Sequence, residues 1–249
     1  MMFDKRVAVV MPAYNAARTL EATVAAIPAG VVDDLILVDD ASSDETAAVA
    51  ARMGLFSIVH PDNRGYGGNQ KTCYRAALDR GADIVVMLHP DLQYDPRLIP
   101  AMASLIALGR YDVVLGTRMS GRGPLHGGMP LYKFVANRLL TRFENALTGR
   151  RLSEYHTGYR AYSREALEAI PFERNDDGFI FDNQFLVQAI HAGLEIGEVG
   201  CPAHYPPEAS SIQLGPALRY GVGVLETAVR YRLHCSGLLR AAFLEEEPQ

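Results

Sequence analysis

Through the first half of the chain, short apolar runs alternate with longer stretches in which apolar residues recur every three or four positions. The runs are "RVAVVMPAYN" (6–15), "DLILVDD" (34–40), "LFSIVH" (55–60), "DIVVMLH" (83–89) and "YDVVLGTR" (111–118). Near-continuous runs of β-branched and aliphatic residues predict strands of a parallel sheet covered on both faces. Between them the spacing predicts helices over 16–27, over 43–53 with Ser42 or Ser43 as N-cap, over 68–80 closed by Gly81, and over 95–108 closed by Gly109. Asp95 followed by Pro96 is a good helix start, since proline fits the first turn and aspartate can cap it. This βαβα alternation argues for a doubly wound α/β domain with its site at the carboxyl ends of the strands.

The second half differs in texture. Residues 130–147 read as a long helix, 154–163 as a strand or extended segment, 163–170 and 181–192 as helices, and 194–199 as a last strand. A polar loop over 204–211 leads into a helical pattern over 215–239, and the acidic end "EEEPQ" is expected to fray. The expected organisation is one domain over 1–212 followed by a C-terminal helical extension and tail over 213–249.

Composition narrows the class. At 249 residues, 49% hydrophobic and 21% charged, the chain can bury a substantial core. A net charge of −5 gives no reason to expect a nucleic-acid partner. Cys73, Cys201 and Cys235 are odd in number and far apart, which argues against a disulfide framework and for a cytoplasmic setting. No segment has the roughly 18 uninterrupted apolar residues of a spanning helix. The stretch over 216–239 is nevertheless amphipathic, and a bilayer surface at the inner face of the membrane, its own core or a second subunit in a homodimer would each account for it.

The candidate chemistry gathers where strands stop: Pro12, Ala13, Tyr14 and Asn15 after the first, Asp39 and Asp40 after the second, and His89, Asp91 and Gln93 after the fourth. Three polar clusters on one sheet edge would face one crevice. Asp91 is a hard oxygen donor suited to Mg²⁺ or Mn²⁺, and the carbonyl oxygen of Gln93 lies two residues on, on the same side of an extended turn. His89 stands in register with them, and imidazole suits Mn²⁺ or other transition metals better than Mg²⁺. Lys133 and Asn137 are four apart on a helix and share a face. The Gly65-Tyr66-Gly67-Gly68 stretch does not make a dinucleotide fingerprint, since it follows the third strand and lacks the third-glycine spacing.

Together, "VAVVMPAYNAARTL", "DDLILVDDASSDET", "NRGYGGNQKTCYRAAL" and "VVMLHPDLQYDP" resemble the family 2 glycosyltransferases of GT-A fold, in particular the dolichol-phosphate mannosyltransferase and polyprenyl-phosphate sugar transferase branch. The resemblance runs from residue 6 to about 230. It implies a mostly parallel central sheet flanked by helices, a nucleotide-sugar donor (GDP- or UDP-linked) and a divalent metal. It also implies base and ribose contacts at Pro12, Tyr14 and Asp40, although Ala16 follows Asn15 where the family often has an acid. Asn63, Arg64, Gly65 and Asn69 match a loop whose glycines let backbone approach the nucleotide or sugar. Asp91 and Gln93 match the second acid and third ligand of the D-x-D metal motif, with His89 in place of the first acid, an H-P-D variant.

The same resemblance makes Arg118 a candidate for acceptor or diphosphate charge and Lys133 and Asn137 candidates for an acceptor phosphate. It nominates Thr157, Gly158 and Arg160 at the acceptor, and Asp182 as a base, with Asp177 a weaker candidate. The implied reaction is an inverting displacement at the anomeric carbon. A phosphate acceptor on a polyprenyl lipid is already anionic and wants Arg118, Lys133 and Arg160, whereas a hydroxyl acceptor needs Asp182 to take its proton. The rival from another class is a non-catalytic nucleotide-sugar binder in which His89 has removed productive metal binding.

Overall fold

A computed structural model describes residues 3–120, 124–125, 127–202 and 214–245. Four strand–helix steps and a fifth strand open the chain: β1 (Val7–Ala13), α1 (Leu20–Ala25), β2 (Asp34–Asp39), α2 (Thr46–Arg52), β3 (Phe56–Val59), α3 (Gly65–Asp79), β4 (Ile84–Met87), α4 (Ile99–Ala107) and β5 (Val113–Thr117). Then follow α5 (Leu131–Thr148), β6 (Arg160–Ser163), α6 (Arg164–Ala169), α7 (Phe181–His191), β7 (Ile196–Gly200) and α8 (Leu214–Cys235). The strands form one sheet in the order β3-β2-β1-β4-β6-β5-β7. All pairs are parallel except those of β6, which runs antiparallel between β4 and β5.

Alternation along β1 shows why both faces are covered. Ala8 and Val10 face a core built with Tyr74 of α3 and Phe181 and Phe185 of α7, while Val7, Val9 and Met11 face a second core built with Leu20, Val49 and Met102. Fully buried runs on a two-faced sheet are what the unbroken apolar strands demanded.

Several boundaries differ from the sequence expectation. Neither Ser42 nor Ser43 caps α2, which begins at Thr46; the side chain of Asp44 instead accepts from the Thr46 amide at 3.0 Å, and Ser42 and Ser43 turn back to the loop after β1. α3 starts three residues earlier than 68, and α1 is shorter than 16–27 because Ala16, Ala17 and Asn15 are tied to the turn before α2. Asp95 does cap its turn, accepting from the Arg97 amide at 3.0 Å, but the first turn, Pro96–Leu98, is 3-10. Of the extended segment 154–163, only the last four residues form a strand.

α8 packs on α5 and α7, and the 3-10 turn Ala242–Leu244 returns to the main core, where Phe243 and Leu244 are buried and the Phe243 carbonyl accepts from Gln188 Nε2 at 2.5 Å. The expected extension is thus sewn onto the domain by both ends of its described part. The polar loop 204–211 and tail residues 246–249 lie outside the described residues.

Candidate functional site

The backbone at the carboxyl edge of the sheet is unusual. Asn15, Ala41 and Leu92 adopt left-handed conformations, with φ of +54°, +58° and +61°, and they follow β1, β2 and β4 respectively. A side-chain-bearing residue there costs about 1–2 kcal/mol, and such strain persists only where the surroundings hold it. Here the holding bonds are visible: Asn15 Oδ1 accepts from the Ser43 amide at 2.9 Å, the Asn15 amide donates to Ser42 Oγ at 2.8 Å, and the Ser42 amide donates to Asp39 Oδ1 at 3.1 Å. Pro12, Ala13 and Asp39 are buried at this edge, and the ring of Tyr14 stands 58% exposed above it.

Asp40 is spent internally. Its Oδ1 meets His60 Nδ1 at 2.7 Å and accepts from the Arg64 amide at 2.8 Å, and its Oδ2 accepts from the Gly65 amide at 3.0 Å. Three of the roughly four acceptor sites of this carboxylate are thus taken up by its own loop and His60. Asn63 closes the same turn, with Nδ2 donating to the Asp40 carbonyl and Oδ1 accepting from the Gly65 amide. Asn69 is buried and donates to the carbonyls of Val38 and Ala13, joining β1 to β2.

The glycines of this loop approach protein, not an open cleft. A Cβ on Gly67 would sit 2.4 Å from the Asp176 carbonyl oxygen, and one on Gly65 2.7 Å from that of Asp177. The Asp177 carbonyl accepts from the amides of Gly67 and Gly68, and Lys71 Nζ binds the Asn175 carbonyl and the Asp177 carboxylate. The first-turn amides of Gly65, Gly67 and Gly68 in α3 are therefore satisfied by Asp40 and Asp177.

At the turn after β4, Asp91 Oδ1 accepts from the Gln93 amide at 3.0 Å, and Leu92 between them takes the left-handed conformation. The side-chain amide of Gln93 and Nδ1 of His89 have no partner among the described residues. One carboxylate, one amide carbonyl and one imidazole within five residues are donor types that a divalent ion accepts. Among the described residues no three His, Cys, Asp or Glu side chains form an all-protein metal cage.

His89 Nε2 lies 3.0 Å from the Tyr66 hydroxyl, which donates to Asp182 Oδ2 at 2.6 Å. Asp182 is only 6% exposed, its Oδ1 accepts from Gln70 Nε2 at 3.1 Å, and its backbone carbonyl accepts from Arg160 at 2.7 Å. The carboxylate thus reaches His89 through the Tyr66 hydroxyl.

Because β6 is antiparallel, the segment leading into it arrives at the same edge where β4 and β5 end, with Arg160 opposite both Met87 and Leu115. Thr157 Oγ1 donates to the Gly116 carbonyl at 2.6 Å, and the Gly158 amide donates to the Tyr94 hydroxyl at 3.0 Å. Arg160 is fully buried and donates to the carbonyls of Tyr155, Thr157 and Asp182, so it braces this loop from inside.

Glu154, also fully buried, takes the Arg118 guanidinium and Arg118 amide and accepts from Asn137 Nδ2 at 2.8 Å. Burial acts to raise its carboxyl, but the ion pair with Arg118 and these hydrogen bonds outweigh it and hold the group below the usual carboxylate range. That bond places the first turns of α5 over the end of β5. Lys133, one turn before Asn137, has no partner among the described residues. Tyr66, Gln70 and Glu154 carry no local motif, and their contacts are remote in sequence.

The family model described as glycosyl transferase family 2 matches residues 8–170. A low-salt glycan biosynthesis hexosyltransferase, Agl6, of Haloferax volcanii is 32% identical over 83% of this chain and 49% of its own length, so the chain spans about half of that relative. A UDP-N-acetylglucosamine–dolichyl-phosphate N-acetylglucosaminyltransferase of Methanococcus voltae is 27% identical over 80% of this chain and 85% of its own. Among solved structures, a glucosyl-3-phosphoglycerate synthase of Mycobacterium tuberculosis bound to Mn²⁺, UDP and phosphoglyceric acid superposes with a TM-score of 0.70 at 21% identity, covering 92% of this chain and 79% of that one, which shows a shared fold.

Proposed function

The chain belongs to glycosyl transferase family 2, and on that footing we propose that it transfers a sugar, with inversion, from a UDP- or GDP-sugar to the phosphate of a polyprenyl lipid. The names of its relatives support a lipid-phosphate acceptor, that of Methanococcus voltae among them. The observation that carries the reading is on α5. There Lys133, half-buried and without a partner among the described residues, shares a helix face with Asn137, which Glu154 ties to Arg118 just past the end of β5, while Leu131 and Val135 on the opposite side of the helix are 64% and 47% exposed. A cation on a helix whose other side exposes apolar residues suits an anionic headgroup on a hydrocarbon chain.

Donor and acceptor then occupy neighbouring stretches of one edge. Tyr14 and the Asp39 turn line the nucleotide side, while the turn of His89, Asp91 and Gln93 lies under the diphosphate. A divalent ion held by those three would offset charge on the departing nucleoside diphosphate. Arg118 and Asn137, fixed by Glu154, set the position of α5 so that Lys133 meets the acceptor phosphate. That phosphate is already ionised near neutral pH and needs no base. Asp182, with both carboxylate oxygens occupied, fits this better than it fits a hydroxyl acceptor.

The test is release of nucleoside diphosphate from UDP- and GDP-sugars with Mn²⁺ and short-chain polyprenyl phosphate, with thermal-shift screening of the nucleotides first, since ligand binding raises apparent stability by mass action. Release that depends on the lipid phosphate is expected. Release with soluble hydroxyl acceptors and none with the lipid phosphate would sink the acceptor assignment. Nucleotide binding without release to either class would favour the non-catalytic binder.

A further inference from the structure

Tyr66 stands between His89 and Asp182 in a way that fixes the protons of His89. The hydroxyl has one hydrogen, and the carboxylate of Asp182, 2.6 Å away, can only accept. The contact of 3.0 Å to His89 Nε2 must therefore be a donation from Nε2–H to the phenol oxygen. Nδ1 is left as the nitrogen with a lone pair, and no described residue occupies it.

The ring is held from other directions as well. It stacks on Tyr66 at 5.4 Å between centroids and 24° between planes. Gly158 backs it, since a Cβ there would lie 2.9 Å from Nε2, 3.1 Å from Cδ2 and 3.2 Å from the Tyr66 hydroxyl. Asp182 is itself immobilised by Gln70 and by Arg160 on its backbone carbonyl.

We propose that Asp182 and Tyr66 are positioning residues that lock His89 as its Nε2–H tautomer, presenting Nδ1 with Asp91 and Gln93 as a mixed nitrogen–oxygen donor set that selects Mn²⁺ over Mg²⁺. Imidazole is a ligand for transition ions, whereas Mg²⁺ holds to oxygen and water. A hydrogen bond from the distal ring nitrogen sets tautomer and basicity, and removing such a partner costs roughly 10–100-fold in metal affinity. Buried Asp182, which the mechanism above does not need as a base, thereby has a use. This inference rests on the nucleotide-sugar reading of the same site.

The experiment measures Mn²⁺ binding to the full chain in the presence of UDP by electron paramagnetic resonance, with pulsed detection of ¹⁴N coupling and with Mg²⁺ as competitor. The wild type is expected to show imidazole ¹⁴N coupling and to resist Mg²⁺. Tyr66→Phe should lose about 10–100-fold in Mn²⁺ affinity with little change toward Mg²⁺, and Gly158→Ala, which crowds the ring, should weaken the coupling. His89→Asp should abolish the coupling and bring Mg²⁺ affinity up to that of Mn²⁺. Bound Mn²⁺ without ¹⁴N coupling, or Tyr66→Phe with unchanged affinity and coupling, would overturn the proposal. UDP binding with no Mn²⁺ uptake would also overturn it while leaving the transferase reading intact; absence of nucleotide binding altogether would end both.

Discussion

Glu144 of α5 and His156 of the loop before β6 are buried 3.2 Å apart, and each is pushed toward its neutral form. Burial raises Glu144 to about 8 and lowers His156 to about 4. Glu144 Oε1 accepts from Asn183 of α7, and His156 Nδ1 lies 2.9 Å from the Tyr220 hydroxyl of α8, so the pair knits three helices. The two shifts act on stability with opposite sign. A folded carboxyl raised above its ordinary value contributes fully below about pH 4.5 and is lost as pH rises toward 8. A folded imidazole lowered from 6.5 to about 4 loses stability as pH falls through that window.

Between about 4.5 and 6.5 the two slopes oppose one another, and above 6.5 only the carboxyl remains, so stability should fall by about 1.4 kcal/mol per pH unit at most up to pH 8. Glu144→Gln keeps an acceptor for Asn183 and removes the ionisation. Thermal unfolding from pH 6 to 9 should show the fall in the wild type and a flat curve in the variant, with Tm higher by several degrees at pH 8. A parallel fall in both proteins would refute this account. At the acceptor edge, Lys133→Ala should raise the KM for polyprenyl phosphate about 10–100-fold with kcat little changed, the size of a lost charge-assisted bond.

The first turn of α3 makes a matching case among elements. Its amides are closed by Asp40 on one side and by the Asp177 carbonyl on the other, and Gly67 is where the two backbones touch. Gly67→Ala would drive a methyl to 2.4 Å from the Asp176 oxygen and 2.7 Å from Phe181 Cβ, so the variant should lose about 3 kcal/mol or more, read as a drop in urea midpoint. Gly54→Ala serves as a control in which only the positive φ of +67° is strained, since nothing lies within 4 Å; its loss should be smaller.

Elements were legible in proportion to how local their causes are. β1, β2 and β4 stand out because a strand buried on both faces must be apolar throughout, and the GT-A resemblance gave their order a meaning. The start of α2 was not legible, because Ser42, Ser43 and Asp44 are equally good caps alone and the choice is made by Asn15 and Ala17, nearly thirty residues earlier. The sense of β6 was hidden because four residues, Arg160–Ser163, carry no direction. Among the site residues, the strand-end clusters lie at one edge, and Asp40, Arg160 and Thr157 each bond to groups within the protein there. A lone acid, arginine or threonine cannot announce whether its partner will be a ligand or a distant backbone carbonyl.

For the whole molecule, the faces of α5 and α8 matter most. Leu139 and Phe143 on α5 and Leu218, Val222 and Val229 on α8 are all well exposed, and the two helices pack side by side. Over 131–151 the basic residues are Lys133, Arg138, Arg142, Arg150 and Arg151 against the single acid Glu144, although the whole chain carries −5. Among the described residues no helix is long and apolar enough to cross a membrane. An apolar face edged with cations fits the surface of an anionic bilayer, where each basic residue near the surface is worth about 1 kcal/mol. Flotation with phosphatidylglycerol vesicles should recover the protein at low salt and release it at high salt, and Leu139→Ser with Leu218→Ser should cut recovery several-fold at unchanged Tm. Recovery that ignores both would instead point to a second copy of the chain on this face, visible as a doubled mass in light scattering.

The placing of β6 between β4 and β5 has a bearing on how the molecule comes into being. Met87 and Leu115 both pair with Arg160, so docking the strand that follows Thr157 and Gly158 closes long loops of chain back to β4 and β5. Closing such long loops is the slow part of folding. In refolding from urea, helix content should therefore return before UDP binding, and the crevice should be among the last parts of the protein to exist.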